Sequence, residues 1–453
     1  MAPTEFLPPT GRRADAATLA AVLTVVLMLT PARLVLRGIP LSLTPADVAS
    51  LGIGMLWLCA QMTTTLGMAK GRNGVRTVLF WYLVALMINY GFAAYRYLPA
   101  DELRLMDHAA VLVIANAGMA LGICDGVRSR ERIDFVLKTV VVSGAGVAIV
   151  GAFQFMFKFD LTEYLAVPGL RYTSILENTF ERATLTRVAG TTGHAIEFGV
   201  LMAMVLPIAA HYGFQAKHRG EPALRWWVCA GLIALGIMMS ISRSAVLSVG
   251  GVGFVLFLGW SVRRRLQALG IGLAFLAVIQ VTVPGLLSTF YGLFENFGRD
   301  ESIKWRTHDY AAAMAEISKN LWFGRGVGTW YAPKHQIFDN QYLYTLVQEG
   351  VVGLVAFVAL ILTAFYVTLR VRYLSREVTG QHLALALAAS LVVPLIGSAT
   401  FDLISFHTVT GLMFILIGCT GALMRVTVSG GGPVPRPPAG APPPAADAAP
   451  RRG

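Results

Sequence analysis

Long runs of apolar residues, separated by short polar clusters, fill the chain from Ala16 to Met424. A helix needs about 20 apolar residues to cross a hydrocarbon core. Runs of that kind lie at residues 16–34, 45–67, 77–97, 108–126, 137–157, 193–213, 225–241, 244–262, 267–287, 343–369, 381–400 and 405–425. The pattern predicts an all-α integral membrane protein of about 12 transmembrane helices. The first run follows Arg12 and Arg13 and looks like a signal peptide, but no small-residue cleavage site leads into a soluble mature domain, so it reads as a retained span.

The apolar runs leave two long connections, at residues 158–192 and 287–342. The second is a long extracytoplasmic loop between the ninth and tenth spans. Within it Tyr310, Ala313, Met314 and Ile317 recur at helical spacing, which predicts an amphipathic helix over 301–319 that could lie on the membrane surface. The stretch from Trp226 to Trp260 holds a single charge, Arg243. As one helix it would reach about 50 Å, well beyond a core of about 30 Å. It must fold back, and Ser240-Ile-Ser-Arg-Ser244 is the expected break.

Composition confirms the class, since 55% hydrophobic and 14% charged residues describe a chain that cannot stay in water. The net charge of +12, from 37 basic and 25 acidic residues, sits mostly in short loops. These hold Lys70, Arg72 and Arg76; Arg128, Arg130 and Arg132; Lys217 and Arg219; Arg263, Arg264 and Arg265; and Arg370, Arg372 and Arg376. All fall on the cytoplasmic side of one topology with both termini inside. That topology divides the chain into a cytoplasmic N-terminus (1–15), a polytopic membrane domain (16–428) and a disordered Pro/Gly/Ala-rich cytoplasmic tail (429–453). The spread of basic residues over loops argues for lipid headgroups and against nucleic acid. Cys59, Cys124, Cys229 and Cys419 lie in or beside spans without metal-ligand spacing, so neither a metal site nor another cofactor is expected.

Ionisable residues collect at the outer ends of the runs. Arg243 at the break is costly at membrane depth, so it is either functional or an interfacial arginine reaching for lipid phosphate. Arg187 stands at the entry of the sixth span, with His194 and Glu197 on one helical face behind it, either as a structural pair or to orient the arginine. Arg306 on the surface helix completes three outer arginines, and a guanidinium fork suits a diphosphate. The Gly324-Arg325-Gly326-Val327-Gly328 segment is a tight turn or, less specifically, a backbone cradle for phosphate. His335 and Asp339, beside Asn340, offer a base and an amide before the tenth span, although Asp339 could simply cap the helix. Asp402 and His407 form a second outer pair.

From Arg187 to Arg370 the chain resembles the bacterial O-antigen ligase and O-antigen polymerase superfamily, multispan glycosyltransferases of the C-type fold group. The likeness rests on Arg-x-x-Gly-Thr at Arg187, Ser-Arg-Ser at Arg243, Trp-Arg-x-x-x-Tyr at Arg306, and Asp339-Asn340 followed by Gly350-x-x-Gly353. That last motif usually opens with His, so either Asp339 or His335, one turn earlier, would be the base. The Pro-rich tail and the Asp-Asn-Gln-Tyr-Leu form look like actinobacterial members. The resemblance implies a polyprenyl-diphosphate-linked glycan as donor, a glycan or envelope acceptor, and an active site on the outer face of the cytoplasmic membrane. Arg243, Arg187 and Arg306 would hold the diphosphate, with no metal and with inversion at the anomeric carbon. A flippase for lipid-linked glycans would place ionisable groups nearer mid-membrane, and a non-catalytic scaffold would tolerate loss of Arg243 and Asp339.

Overall fold

The computed structural model describes residues 15–39, 41–63, 73–165, 167–173, 180–182, 185–282, 285, 310–332 and 334–430. Long helices follow in the order the apolar runs predict: α1 (Ala16–Leu29), α2 (Pro45–Met62), α3 (Gly74–Ala94), α4 (Ala100–Gly126), α5 (Arg130–Phe157), α6 (Ala195–Arg219), α7 (Leu224–Met239), α8 (Arg243–Gly259) and α9 (Val262–Thr282). A short α10 occupies residues 310–317. The bundle ends with α11 (Gln341–Leu374), α12 (Val378–Ser398) and α13 (His407–Gly430). Among the described residues, eight helices are long and apolar enough to cross a membrane, and α1, α7 and α8 are shorter apolar helices. The fold is an all-α multi-pass membrane protein.

Large apolar side chains such as Phe80, Trp81, Phe254 and Leu258 point outward, whereas the interior of α6, α12 and α13 is built from Ala, Gly, Ser and medium aliphatics. That inversion suits lipid, where close helix contact replaces the hydrophobic effect as the driving force. The α2–α4 crossing shows it: a Cβ on Gly54 would lie 3.0 Å from the Gly118 backbone.

The run from Trp226 to Trp260 folds back where the charge pattern requires. α7 stops at Met239, Ile241 turns with φ 43°, and α8 starts at Arg243. α4 starts at Ala100 rather than near 108, because its charged first turns are tied to other elements: Tyr90 Oη donates to Asp107 at 2.6 Å, and Glu102 meets Arg325. Part of the connection at 158–192 is extended, with β2 (Leu170–Tyr172) pairing antiparallel to β1 (Leu34–Leu36), and β3 (Phe180–Arg182) pairing with β4 (Leu185–Arg187). α10 buries Ala313 and Ile317 against Trp330, Phe338 and Val347 and leaves Tyr310 and Met314 exposed. The face expected to meet the membrane surface is therefore divided, and half of it packs on protein. The part of that helix before Tyr310 lies outside the described residues.

α11 is interrupted at Gly350, whose φ 68° and ψ −167° only glycine adopts comfortably. The segment at 321–326 enters the gap. The carbonyls of Val347 and Gln348 accept from the N–H groups of Arg325 (3.0 Å) and Gly326 (2.7 Å), while Val351 and Val352 donate to Leu321 (2.9 Å) and Trp322 (3.1 Å). The backbone groups a broken helix would leave bare at membrane depth are thus satisfied by protein, as a hydrocarbon environment demands. Asn89 of α3 secures the insertion by donating to Phe323 and Gln348 carbonyls and accepting from Val327.

Candidate active site

Four helix starts meet at one end of the bundle. Arg187 Nε donates to the Ser240 carbonyl at 3.2 Å, joining the approach to α6 with the turn before α8. Glu197 in the first turn of α6 accepts from the first turn of α13, at Thr408 (2.8 Å) and Val409 (3.3 Å), and from Gly193 at 2.7 Å. Gln341 at the start of α11 donates its N–H to Phe401 at 3.1 Å and accepts from Ile404 at 2.8 Å, binding α11 to the segment that leads into α13. Helix N-termini carry partial positive charge, so their convergence favours an anion.

Arg187 and Arg243 lie on that convergence. Arg243 is the first residue of α8, next to Ser240, which Arg187 contacts. Arg33, which the apolar pattern hides at the end of the first run, is a further arginine here, nearly buried, with its guanidinium on the Gly193 carbonyl at 3.3 Å. His194 caps α6, its Nδ1 accepting from Ile196 N–H at 3.1 Å. Burial, then Arg187 and Arg33, lower its pKa to about 4, so near neutrality it is an uncharged imidazole with its proton on Nε2. The expected pairing of His194 with Glu197 gives way to this capping, since the Glu197 oxygens go to backbone donors. Arg306 lies outside the described residues.

The acidic half of the site sits beside these helix starts. Asn340 caps α11, accepting from Leu343 at 3.2 Å, so capping falls to Asn340 and not to Asp339. Asp339 is exposed. Half-buried Asp402 has its pKa raised from 3.8 to about 6, first by burial, with the Asp339 and Glu197 carboxylates adding to it. The Asp402 carboxyl therefore keeps its proton to higher pH than an ordinary carboxylate. His407 begins α13, and Phe406 beside it faces the His194 ring at 6.0 Å. The 402–407 segment therefore bridges the arginine and carboxylate halves.

Because the folded-state pKa of Asp402 lies above its unfolded value, its contribution to stability is full below pH 4 and is lost as pH rises through about 6. Asp402→Asn is expected to melt near the wild-type temperature at pH 4 and above it at pH 8. The gain is on the order of 3 kcal/mol, and thermal melts at both pH values measure it.

Beneath Asp402 lies a cavity of about 390 Å³ between α3, α4, α11 and α13, with His108, Asn116, Tyr344, Glu349 and His407 in its wall and Trp330 and Tyr331 at its outer rim. Glu349 is buried in α11, over the face of Gly353. Sequence reading missed both it and His108; a carboxylate within a run otherwise too apolar for water was the available signal for Glu349.

The remaining candidates are fixed to a separate clamp. Arg325 reaches both oxygens of fully buried Glu102, at 2.9 and 3.1 Å, and meets Glu316 at 3.4 Å, and Lys334 also pairs with Glu102. The glycine segment is a tight turn and not a phosphate cradle, because its N–H groups are engaged: Gly324 donates to Asn320, Arg325 and Gly326 to α11, Val327 to Asn89, and Gly328 to the Gln348 side chain. His335 is stacked on Trp330 at 4.3 Å, and Trp330 on Phe338 at 5.2 Å. Burial and the Arg325 guanidinium lower its pKa, which keeps the imidazole neutral.

A family model described as O-Antigen ligase matches residues 228–358, a stretch that spans Arg243, Arg325, His335, Asp339 and the α11 break. No curated protein matches the chain.

Proposed function

We propose, from the match of residues 228–358 to the O-antigen ligase family model, that the chain is a member of the O-antigen ligase and polymerase superfamily and that it transfers or polymerises a glycan carried on polyprenyl diphosphate at the outer face of the cytoplasmic membrane. The observation that carries this reading is the bond from Arg187 to the turn before Arg243, which places two guanidinium-bearing residues where several helix N-termini converge. A leaving diphosphate gains negative charge as the glycosidic bond breaks, and fixed positive charge in a water-poor site lowers that barrier. Arginines supply the charge, so the reaction proceeds without a metal. Arg306 would join them from the loop.

Asp339 is the base in this reading. It takes the proton from an acceptor sugar hydroxyl, whose oxygen attacks the anomeric carbon on the face opposite the diphosphate and inverts it. Asp402, ionised above about pH 6, orients the same hydroxyl. The cavity beneath it, with aromatic rings and amides in its wall, accommodates the acceptor glycan. The tail from Ser429 and both termini lie in the cytoplasm, on the side of the basic loops.

The test is transfer in liposomes by purified protein, given a synthetic polyprenyl-diphosphate repeat unit and acceptor, with and without chelator. Arg243→Lys keeps the charge but loses the bidentate fork, and is expected to lose about tenfold or more in kcat/KM. An unchanged value for Arg243→Lys and Arg243→Ala alike would remove Arg243 from the site. Glu349 favours a second reading, passage of the lipid-linked glycan, because it lies inside a span. The same liposomes separate the two, since a flippase moves the labelled donor across the bilayer without forming a new glycosidic bond.

A further inference from the structure

At the opposite end of the bundle, where the basic loops lie, α6, α8, α9 and α12 enclose a cavity of about 70 Å³. Its polar wall is His211, His218, His382 and Arg264, with Gln215 and Thr379 between them. Among the described residues no carboxylate lines it. Glu377, the acid nearest in sequence, is exposed and accepts the Thr379 hydroxyl at 3.4 Å. The wall thus combines one guanidinium, Arg264, with three imidazoles whose ring N–H groups can donate, and no acid of the lining offsets the Arg264 charge.

Two further observations point to an anion. His211 is 6% exposed, and its Nε2 is buried without a hydrogen-bond partner, a state that costs free energy unless a ligand or water completes it. α12 opens onto the cavity through Val378 and Thr379 with no side-chain cap on its first turn, which leaves backbone N–H groups available. Arg264 is held over the Phe214 ring at 5.4 Å, an arrangement that fixes the guanidinium without discharging it.

The geometry points to a binding site for a single phosphate group, built from His211, His382, His218 and Arg264. The cavity is of the size of one tetrahedral oxyanion and far smaller than the cavity at the other end. The phosphate arrives either free or as the headgroup of an anionic lipid in the leaflet beside the basic loops, and both present the same oxygens. Occupation ties the ends of four helices together, so it registers as stability.

The experiment uses the full-length protein in phosphatidylcholine nanodiscs titrated with inorganic phosphate, and in nanodiscs containing phosphatidylglycerol, with the thermal midpoint followed by tryptophan fluorescence. Wild type is expected to gain several degrees. A gain from inorganic phosphate identifies a free oxyanion as the ligand, and a gain from phosphatidylglycerol alone identifies the headgroup. Arg264→Gln is expected to abolish the gain, and His382→Gln gives the same reading if the first variant folds poorly. Arg225→Gln, which removes a charge at the same end but outside the cavity, keeps it. No gain in wild type, or an equal gain in wild type and in the cavity variants, overturns the site.

Discussion

With Asp339 as the proposed base, Asp339→Asn is expected to lower glycan transfer by about 10²–10⁴-fold, the usual contribution of a positioned general base, while leaving stability within about 0.5 kcal/mol. The two effects separate because Asn340, not Asp339, caps α11, and because Asp339 is exposed. The substitution removes the carboxylate charge and leaves the Asn340 cap of α11 in place. Single-turnover transfer and a thermal melt measure both sides. In cells, Asp339→Ala in place of the native protein reads out the reaction: single repeat units stranded on the polyprenyl diphosphate indicate a polymerase, and full-length chains stranded there indicate a ligase. A wild-type profile transfers the role to His335, whose neutral, stacked imidazole is the other candidate, and His335→Gln then carries the loss.

Gly350→Ala costs about 3–5 kcal/mol, in the range reserved for backbone strain combined with steric conflict. An alanine would have to adopt φ 68° and ψ −167°, and its Cβ would collide with the Trp322 backbone and come within 2.6 Å of the Gly324 nitrogen. Neither neighbour can rotate away, because both are main chain. The expected result is a sharp fall in folded yield, and any protein recovered melts well below wild type. Gly353→Ala is also costly, since its Cβ would lie 2.2 Å from the Glu349 Cβ, which no side-chain rotation can move.

Helix order and the fold-back at Ser240 were legible because hydrophobic runs and a lone arginine are local signals. Span ends were less so where charges find distant partners: Glu102 reads as loop until its ion pairs with Arg325 and Lys334 are seen. Arg187, Arg243, His194, Asp402 and His407 were all found by their place at the ends of apolar runs, and the structure gathers them. The glycine segment is the tight turn its sequence favours, but nothing in the turn itself shows that two of its N–H groups belong to α11 or that Arg325 pairs with Glu102 and Glu316. Arg33 and Glu349 escaped for opposite reasons, one hidden at the end of an apolar run and the other inside one.

The insertion of 321–326 into the break of α11 also limits how the protein can be recombined. The loop is a missing turn of that helix, supplied from elsewhere in the chain. A chimera that exchanges the loop before α11 but keeps the host's helix, or the reverse, would mismatch the two halves of a single hydrogen-bonded unit. Exchange of specificity between relatives should therefore move residues 320–353 as one cassette, with the junctions placed before Asn320 and after Gly353.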